Sequence, residues 1–315
     1  MPLLVIDADA TRRALPFVTL IASLRHAFSE DVRVPRRHVH EIESADGTTG
    51  GTVLLMPAWV PGRHFGVKTV SVFSGNAARG SAALHSTYLL HDATDGRPLA
   101  VIDGDEITMR RTVAASALAA SFLARGDARR LVIVGAGRIA SLLPEALRAV
   151  RTIEHVTVWS RRAEASAALA EALRGQGFAS DATADLEAAV RGADMVSCAT
   201  LAASPLVRGA WLRPGTHLDL IGSFAPAMRE SDAECFLRSR VFVDTAEALE
   251  KSGDVLEAVG AGCFSKDALQ GTLATLCRGE ARGRTDAAEI TLFKSVGTAL
   301  EDLAAAELVY AARVR

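Results

Sequence analysis

The stretch that decides the fold is LVIVGAGRIA, residues 131–140. It reads as an apolar strand, the pattern Gly-x-Gly-x-x-Ala, and the start of a helix. Gly135 permits the tight turn, and Gly137 lets the backbone approach a pyrophosphate. The helix N-terminus offers free N–H groups and a positive dipole end to phosphate groups. We therefore expect dinucleotide binding rather than an ordinary strand–turn–helix, and the predicted contacts are Gly135, Ala136, Gly137, Arg138 and Ile139.

The sequence around this motif alternates between strands and helices. Nearly continuous apolar runs are separated by Ala-rich helical segments such as 163–173 and 186–191. Such runs are typical of parallel strands that are covered on both faces. The alternation predicts an α/β fold with a doubly wound parallel sheet. The predicted strands are 131–134, 155–159, 195–199, 217–221 and 240–243.

The residues after the second of these strands indicate which dinucleotide binds. NAD sites usually carry an Asp or Glu there, which holds the ribose 2′-hydroxyl. This chain has Ser160, Arg161 and Arg162 instead. No carboxylate repels a 2′-phosphate, and guanidinium groups can pair with it. We expect NADPH/NADP, with NADH bound more weakly; the alternative is that the two arginines only begin a solvated helix.

Ligands of an open parallel sheet bind beyond the carboxyl ends of its strands. Thr200 and Ser223 directly follow two of the predicted strands. Their hydroxyl groups are therefore further candidates for hydrogen bonds to the cofactor. The alternative is that both residues simply end their strands.

The residues before 123 have a different pattern, in which short β-like runs are separated by turn signals. This pattern predicts an α+β domain with an antiparallel or mixed sheet. The chain from about 288 to 315 reads as one helical stretch that returns to this first domain. The predicted domains are 1–122 plus 290–315, and an inserted Rossmann domain at 123–289. The predicted strands of the first domain are 3–6, 51–56, 66–73 and 86–91.

One of these strands carries a lysine on an apolar face, because Lys68 alternates with Val70 and Val72. A lysine is rarely buried without a partner. Burial would lower its pKa, whereas an anionic ligand would restore its charge. Lys68 is therefore a functional candidate. The alternative is an edge strand from which the lysine reaches water.

Several arginines could accompany this lysine in an anion site. Arg110 and Arg111 open a helical run, and each begins a face that could point inward. An arginine in such a position suits bidentate recognition of a carboxylate. Spacing does not choose between these two arginines, nor among Arg33, Arg36 and Arg37.

Composition excludes several classes of function. The 315 residues are 49% hydrophobic, and 35 basic side chains nearly balance 37 acidic ones. This balance gives no case for nucleic acid or an anionic membrane as a partner. We find neither a signal peptide nor a run long enough to span a membrane. The four cysteines form no C-x-x-C pair, and the histidines form no metal-site pattern. We expect a cytoplasmic protein without a metal.

A set of short segments carries a resemblance to a known family, and the segments are Pro35-Arg36-Arg37, Gly66-Val67-Lys68, Arg110-Arg111-Thr112, Gly135-Ala136-Gly137, Trp159-Ser160-Arg161, Ile221-Gly222-Ser223, Ser252-Gly253-Asp254 and Phe293-Lys294-Ser295. With these segments the chain resembles the ornithine cyclodeaminase/mu-crystallin family over nearly its full length. The resemblance implies a homodimer whose first domain carries the substrate and dimer contacts. It also implies that Arg37, Lys68 and Arg111 hold the carboxylate of the substrate. Thr112 completes the Arg-Arg-Thr segment and joins the predicted cofactor contacts.

One departure from the family pattern bears on the reaction. Cyclodeaminases of this family carry an aspartate just after the glycine of the fifth Rossmann strand, and the matching residue here is Phe224. A phenyl ring cannot exchange a proton or pair with an ammonium group. This departure disfavours ornithine cyclodeamination. The stretch Leu54-Leu55-Met56-Pro57-Ala58-Trp59 looks most like the bacterial Δ1-pyrroline-2-carboxylate (ketimine) reductases of proline and hydroxyproline catabolism.

The resemblance implies NADPH-dependent reduction of cyclic imine 2-carboxylates. Δ1-Pyrroline-2-carboxylate would give L-proline, and Δ1-piperideine-2-carboxylate would give L-pipecolate. Lys68, or a water molecule beside it, would keep the imine protonated, with His85 as a weaker candidate. The alternatives are ornithine cyclodeamination, reductive amination as in alanine dehydrogenases of the family, and a non-catalytic NADPH-binding or ligand-binding role as in crystallins.

Overall fold

The structure, a computed structural model, describes residues 2–45, 47–73, 75–76 and 80–314. The chain divides into two compact units. Both ends of the chain, Met1–Arg111 and Thr298–Arg315, build the first unit, and Thr112–Gly297 builds the second. The second unit is therefore inserted into the first.

The N-terminal part of the first unit supplies a six-stranded sheet within the described residues. Its helices are α1 (Ala8–Ala14), α2 (Phe17–Ser29) and the beginning of α3 (Gly104–Leu123). Its strands are β1 (Leu4–Ile6), β2 (His38–Glu43), β3 (Thr49–Val60), β4 (His64–Val72), β5 (Leu84–Asp92) and β6 (Pro98–Asp103). The strand order is β1-β6-β5-β4-β3-β2, and the strands are antiparallel except for the parallel pair β1–β6.

The second unit is described in full and contains eight parallel strands. Its helices are α4 (Arg138–Arg148), α5 (Ala163–Gly175), α6 (Leu186–Gly192), α7 (Ala233–Leu237), α8 (Ala248–Lys251), α9 (Gly253–Gly260) and α10 (Leu273–Cys277). Its strands are β7 (Arg130–Val134), β8 (His155–Trp159), β9 (Ala179–Ala182), β10 (Met195–Cys198), β11 (His217–Leu220), β12 (Arg240–Val243), β13 (Gly271–Thr272) and β14 (Thr291–Lys294).

The strand order of this second sheet is β13-β12-β14-β11-β10-β7-β8-β9. The chain runs outward from β7 through β8 to β9 and then returns to β10 on the other side of β7. The order therefore reverses between β7 and β10. In doubly wound sheets this reversal opens a crevice at the carboxyl ends of the two strands. The predicted α/β class with a Rossmann-like parallel sheet is confirmed.

The last helix, α11 (Ala299–Val314), belongs to the first unit. It packs against α2 and against β3, β4 and β5. Four of its nine buried positions are alanine, and these small side chains let its backbone approach the sheet closely. The inward face of the sheet carries the register row Met56–Lys68–Tyr88–Ile102, and all four side chains are buried.

The structure corrects the prediction of one helical stretch from 288 to 315. Residues Thr291–Lys294 form β14, a strand between β11 and β12, and helix begins only at Ala299. A strand of four buried residues is too short to show a period, and the Ala-rich sequence beyond it favours a helix. The two unit boundaries also differ from the predicted ones. One falls at Arg111 inside α3 and the other at Gly297. Within the described residues, no helix is long and apolar enough to cross a membrane.

Candidate active site

The glycine loop lies at the carboxyl end of β7. Gly135 has φ +123°, a conformation that residues with a side chain rarely adopt, and a Cβ there would come within 2.7 Å of the Ala199 carbonyl oxygen. Gly137 is the N-cap of α4, and a Cβ on Gly137 would meet no atom within 4 Å. The space beside Gly137 is therefore open, next to the free N–H groups of the first turn of α4. These residues fit a dinucleotide pyrophosphate.

The residues that follow β8 lie at the same edge of the sheet. Arg161 and Arg162 are exposed, and Arg162 is the N-cap of α5. The Ser160 hydroxyl donates a hydrogen bond to the Arg162 carbonyl oxygen. Trp159, the last residue of β8, lines a cavity of about 600 Å³ together with Leu186, Leu206, Arg208 and Trp211. No carboxylate follows β8 before α5 begins.

Thr200 and Ser223 are tied to a buried charged cluster, which we call the Glu230 cluster: Thr200, Ser223, Glu230, Asp254 and Lys294. Glu230 accepts hydrogen bonds from the backbone and the hydroxyl of Thr200 and from the backbone of Ser223. The Ser223 hydroxyl donates to Asp254 and accepts a hydrogen bond of 2.8 Å from Lys294. Ser223 is fully buried. Contrary to its predicted role as a direct cofactor contact, its hydroxyl is already used inside the protein.

The acidic groups of this cluster have shifted pKa values. Burial raises the pKa of Glu230 to about 7, although Lys294 works in the opposite direction. Burial also opposes ionisation of Asp254. The charge of Lys294, 3.1 Å away, and hydrogen bonds from Ser223, Ser231 and Glu230 nevertheless hold the pKa of Asp254 below its usual value. Glu230 thus lies near its titration point at neutral pH.

Lys68 lies in a second buried cluster, which belongs to the first unit. Its ammonium group donates to Asp302 at 2.8 Å and to Thr108 at 3.1 Å, and the lysine side chain is only 1% exposed. Arg111 donates to the same Asp302 oxygen at 2.9 Å and to Glu301 at 2.7 Å. We call Lys68, Arg111, Glu301 and Asp302 the Lys68 cluster. It contains two cations and two carboxylates.

The structure resolves two questions that spacing left open. Lys68 lies on β4, which is an interior strand between β3 and β5, so the lysine is paired rather than reaching water. Arg111 joins Lys68, whereas Arg110 donates to the Leu15 carbonyl oxygen and lies over the ring of Phe17. Burial lowers the pKa of Lys68 to about 8, with Asp302 opposing this shift and Arg111 adding to it.

Two buried oxygen atoms near Lys68 have no hydrogen-bond partner within the described residues: the Tyr88 hydroxyl and one carboxylate oxygen of Asp302. Tyr88 is the direct cross-strand neighbour of Lys68. Unpartnered polar atoms are costly in a buried environment. The Lys68 cluster therefore keeps unused hydrogen-bonding capacity for a polar ligand or a water molecule.

Arg37 lies just before β2 and is partly exposed. His38, the next residue, pairs with Leu55, and Met56 pairs with Lys68. Continuing this register puts Arg37 level with Lys68, two strands away and about 10 Å across the sheet. Arg33, by contrast, forms an exposed pair with Asp31.

His85 does not join Lys68. It pairs with Ser71, three positions from Lys68 on β4, and an odd number of residues along a strand leads to the opposite face. The imidazole is exposed on that face. The proposed proton-holding role for His85 at Lys68 is therefore not supported by this arrangement. Thr112 is partly buried in α3, directly after Arg111.

The model of the ornithine cyclodeaminase/mu-crystallin family matches residues 15–314. The chain belongs to this family. Within this family it is 40% identical to the Δ1-pyrroline-2-carboxylate reductase of Paracoccus denitrificans, over 97% of this chain and 95% of the relative.

Two solved structures are close to this fold. The Thermococcus litoralis Δ1-pyrroline-2-carboxylate reductase, in complex with NADH and L-proline, has a TM-score of 0.92 and 32% identity, over 99% of this chain and 98% of that one. An archaeal alanine dehydrogenase dimer with bound NAD has a TM-score of 0.92 and 28% identity, over 100% of this chain and 97% of that one.

Phe224 lies in the loop after β11, and its side chain is 48% exposed. The loop residues 222–229 include no Asp or Glu. The next acidic residue, Glu230, is fully buried and directs its carboxylate to backbone N–H groups. Asp219, on β11, is also buried and accepts hydrogen bonds from Ser116 and Ser197. This loop therefore offers no free carboxylate for acid–base chemistry.

The sequence analysis missed three acidic members of the two clusters, and the fourth, Asp254, entered only within a segment of the family resemblance. Asp302 and Glu301 lie in a helical pattern where acids are ordinary, and Glu230 lies in a loop. The one available signal was a charged residue inside an apolar run, as with Lys294 in Thr291–Lys294. Such a residue requires a buried counter-charge. The sequence alone does not say which acid supplies it.

Proposed function

We propose that this protein reduces Δ1-pyrroline-2-carboxylate to L-proline with NADPH, and Δ1-piperideine-2-carboxylate to L-pipecolate. Its similarity to imine reductases identifies it as an oxidoreductase that acts on C=N bonds with a nicotinamide dinucleotide. The observation that carries the proposal is the pairing of Lys68 and Arg111 around Asp302, combined with the absence of a carboxylate in the loop that holds Phe224.

The charges of the Lys68 cluster suit a substrate that is neutral overall. Lys68 and Arg111 face Asp302 and Glu301, so the cations are already balanced. A lone carboxylate would add an excess negative charge at a buried position, which is costly. A protonated cyclic imine with a 2-carboxylate carries one charge of each sign and preserves the balance. Arg37, level with Lys68, supplies a further cation.

The chain's own residues bind and orient the imine. When bound, the nicotinamide supplies the hydride that adds to C2, and the C=N electron pair becomes the lone pair of a secondary amine. Lys68 and Arg111 hold the carboxylate and so fix the position of C2, which is the main contribution a protein makes to hydride transfer. The free oxygen of Asp302 accepts the N–H of the protonated imine, which favours the form that accepts hydride best.

The preference for NADPH rests on Arg161 and Arg162. Both arginines are exposed after β8, where an NAD site usually has a carboxylate. A 2′-phosphate there would pair with guanidinium groups. The relative from Thermococcus litoralis was solved with NADH, so NADH remains a second, weaker cofactor in our proposal. We also propose a cytoplasmic location, which the four free cysteines support.

We further propose a homodimer that forms through the outward face of the first sheet. The register row Val5–Val101–Leu89–Val67–Pro57 crosses five strands without a polar residue. Val5 is 79% exposed, and the other four are partly exposed. A continuous apolar row is typical of a buried interface, and a second copy of the chain presents the same row. A structural relative is itself described as a dimer.

Replacing Lys68 by Ala tests the proposed reaction. We expect kcat/KM for Δ1-pyrroline-2-carboxylate to fall about 100-fold or more, since a preorganised cation at the carboxylate is lost. Binding of NADPH, followed by its fluorescence, should change little. Lys251→Ala is the control, because Lys251 forms a partly exposed pair with Glu247. Unchanged turnover of Lys68→Ala would contradict the role of Lys68.

The wild-type enzyme should also lose activity at alkaline pH. Lys68 is charged below its pKa of about 8 and neutral above it. The value of kcat/KM should therefore fall as the pH rises through about 8. The Lys68→Arg variant, whose side chain stays charged, should lose this alkaline decline. A decline that persists in this variant would assign it to another group.

Replacing Arg161 by Asp tests cofactor preference. The substitution introduces the carboxylate that NAD sites carry, so the Kd for NADPH should rise roughly tenfold or more while the Kd for NADH changes little. Fluorescence titration with both dinucleotides measures this. Arg278→Asp, at an exposed pair with Glu280, is the matched control. Equal effects on NADPH and NADH would refute pairing with a 2′-phosphate.

Replacing Val67 by Glu tests the dimer. A charge in the middle of the apolar row should convert the dimer to a monomer in sedimentation-velocity experiments. Val18→Glu, at a 71% exposed position of α2, should leave the dimer intact. Circular dichroism would confirm that both variants are folded. A Val67→Glu protein that remains dimeric would exclude this face as the interface.

A further inference from the structure

Glu230 collects hydrogen bonds from two separate loops of the second unit. One carboxylate oxygen accepts the Thr200 N–H at 2.7 Å and the Thr200 hydroxyl at 2.8 Å. The other accepts the N–H of Gly222 at 2.8 Å and of Ser223 at 3.1 Å. Thr200 follows β10 and Gly222 follows β11. One buried carboxylate thus satisfies four donors at the carboxyl ends of two adjacent strands.

The loop that contains Thr200 and the loop that contains Gly222 are in direct, close-packed contact. A Cβ added to Gly222 would overlap the backbone of Thr200 and the carboxylate of Glu230. On its other side the Thr200 loop meets the glycine loop, because a Cβ on Gly135 would come within 3.3 Å of the Thr200 side chain. A shift of Glu230 would therefore move the loop after β10 that contains Thr200, and through it the glycine loop at Gly135.

The carboxylate of Glu230 is itself fixed by the rest of its cluster. Asp254 accepts the N–H of Glu230 at 2.8 Å and the N–H of Ser231 at 3.0 Å. The ammonium group of Lys294 lies 3.1 Å from Asp254 and 4.0 Å from Glu230. All three charged side chains are buried. Burying three charges is costly. In this structure the three charged side chains hold the two loops in one arrangement.

We propose that Glu230 is a positioning residue for the dinucleotide, whose ionised carboxylate holds the β10 and β11 loops in the arrangement that the cofactor requires. This inference rests on the proposed function, because it assumes that a dinucleotide occupies the crevice beside Gly135. Glu230 does not touch the cofactor in this account. It acts through the backbone of Thr200, Gly222 and Ser223.

The titration of Glu230 supports this inference. Its pKa of about 7 means that the carboxylate is ionised above neutral pH and protonated below it. A protonated carboxyl group accepts fewer hydrogen bonds and would release part of the four-donor arrangement. The titratable groups that face Glu230 are Lys294 from β14, Asp254 from α9 and Cys198 from β10. Dinucleotide binding should therefore weaken as the pH falls through about 7.

The test compares Glu230→Gln with a matched substitution at the other edge of the sheet. The amide of the variant would direct an NH2 group at N–H donors, so the Kd for NADPH at pH 8 should rise about tenfold. Asp194→Asn is the control. Asp194 accepts the N–H groups of Arg129 and Arg130 at the start of β7 and lies at the amino end of β10. The Asp194→Asn variant should bind NADPH as the wild type does, even if its melting temperature falls.

A pH series with NADH, which has no titrating 2′-phosphate, provides the second measurement. The wild-type Kd should rise between pH 8 and pH 6, and the Kd of Glu230→Gln should stay flat. If Glu230→Gln does not fold, Thr200→Val removes one of the four donors and should still raise the Kd for NADPH about threefold.

The outcomes separate this inference from the proposed function. Wild-type binding of NADPH with equal binding by Glu230→Gln, or by Thr200→Val where that variant replaces it, would overturn the positioning role alone. Equal weakening by Asp194→Asn would show general destabilisation and would also overturn it. A wild-type protein that bound neither NADPH nor NADH would instead contradict the proposed function, and the positioning role with it.

Discussion

Asp302 accepts hydrogen bonds from both Lys68 and Arg111, and the first unit depends on this contact. It joins the last helix of the chain to β4 and to Arg111 of α3, both of which precede the inserted unit in the sequence. Both cations are buried, so removing Asp302 would leave Lys68 without its carboxylate partner and Arg111 with Glu301 alone. Breaking such a buried pair typically costs about 3–5 kcal/mol. The contact therefore fixes α11 on the sheet and at the same time gathers the cations proposed to bind the substrate.

The second unit also contains a buried cluster of paired charges, but its role differs. Its buried carboxylates, Glu230 and Asp254, are balanced by Lys294 and by backbone N–H groups. In the first unit the buried cations and carboxylates balance one another around the proposed substrate site. In the second unit the buried carboxylate of Glu230 accepts backbone N–H groups from the loops beside the glycine turn. Apolar residues would often be as stable in such positions, so retaining charges in both places is best explained by function.

The parts of the fold that follow from local chemistry could be predicted from the sequence. The apolar run before Gly135 predicts β7 and the crevice beside it, because strand, turn and helix follow within ten residues. Lys68 could be identified because a charge alternated with valines. Residues such as Asp302 and Glu230 could not, because their partners are distant in the chain and helices and loops commonly carry acids.

The errors also have physical causes. The face on which His85 lies depends on the register between β4 and β5, and the connection 73–83 is too long for a tight turn to set that register. The strand β14 could not be predicted, because four consecutive buried residues show no alternation of apolar and polar side chains. The choice of Arg111 over Arg110 was not an error, but it came from the family resemblance. Spacing could not make that choice, because the pairing with Asp302 depends on α11, which the sequence of α3 does not contain.

The most direct test of this account is to follow NADPH oxidation with freshly prepared Δ1-pyrroline-2-carboxylate, beside an assay for ammonia release from ornithine with NAD. The account predicts rapid NADPH oxidation with formation of proline, and no ammonia from ornithine. Ammonia release from ornithine without imine reduction would contradict it, and would require an acid–base residue outside the loop that holds Phe224.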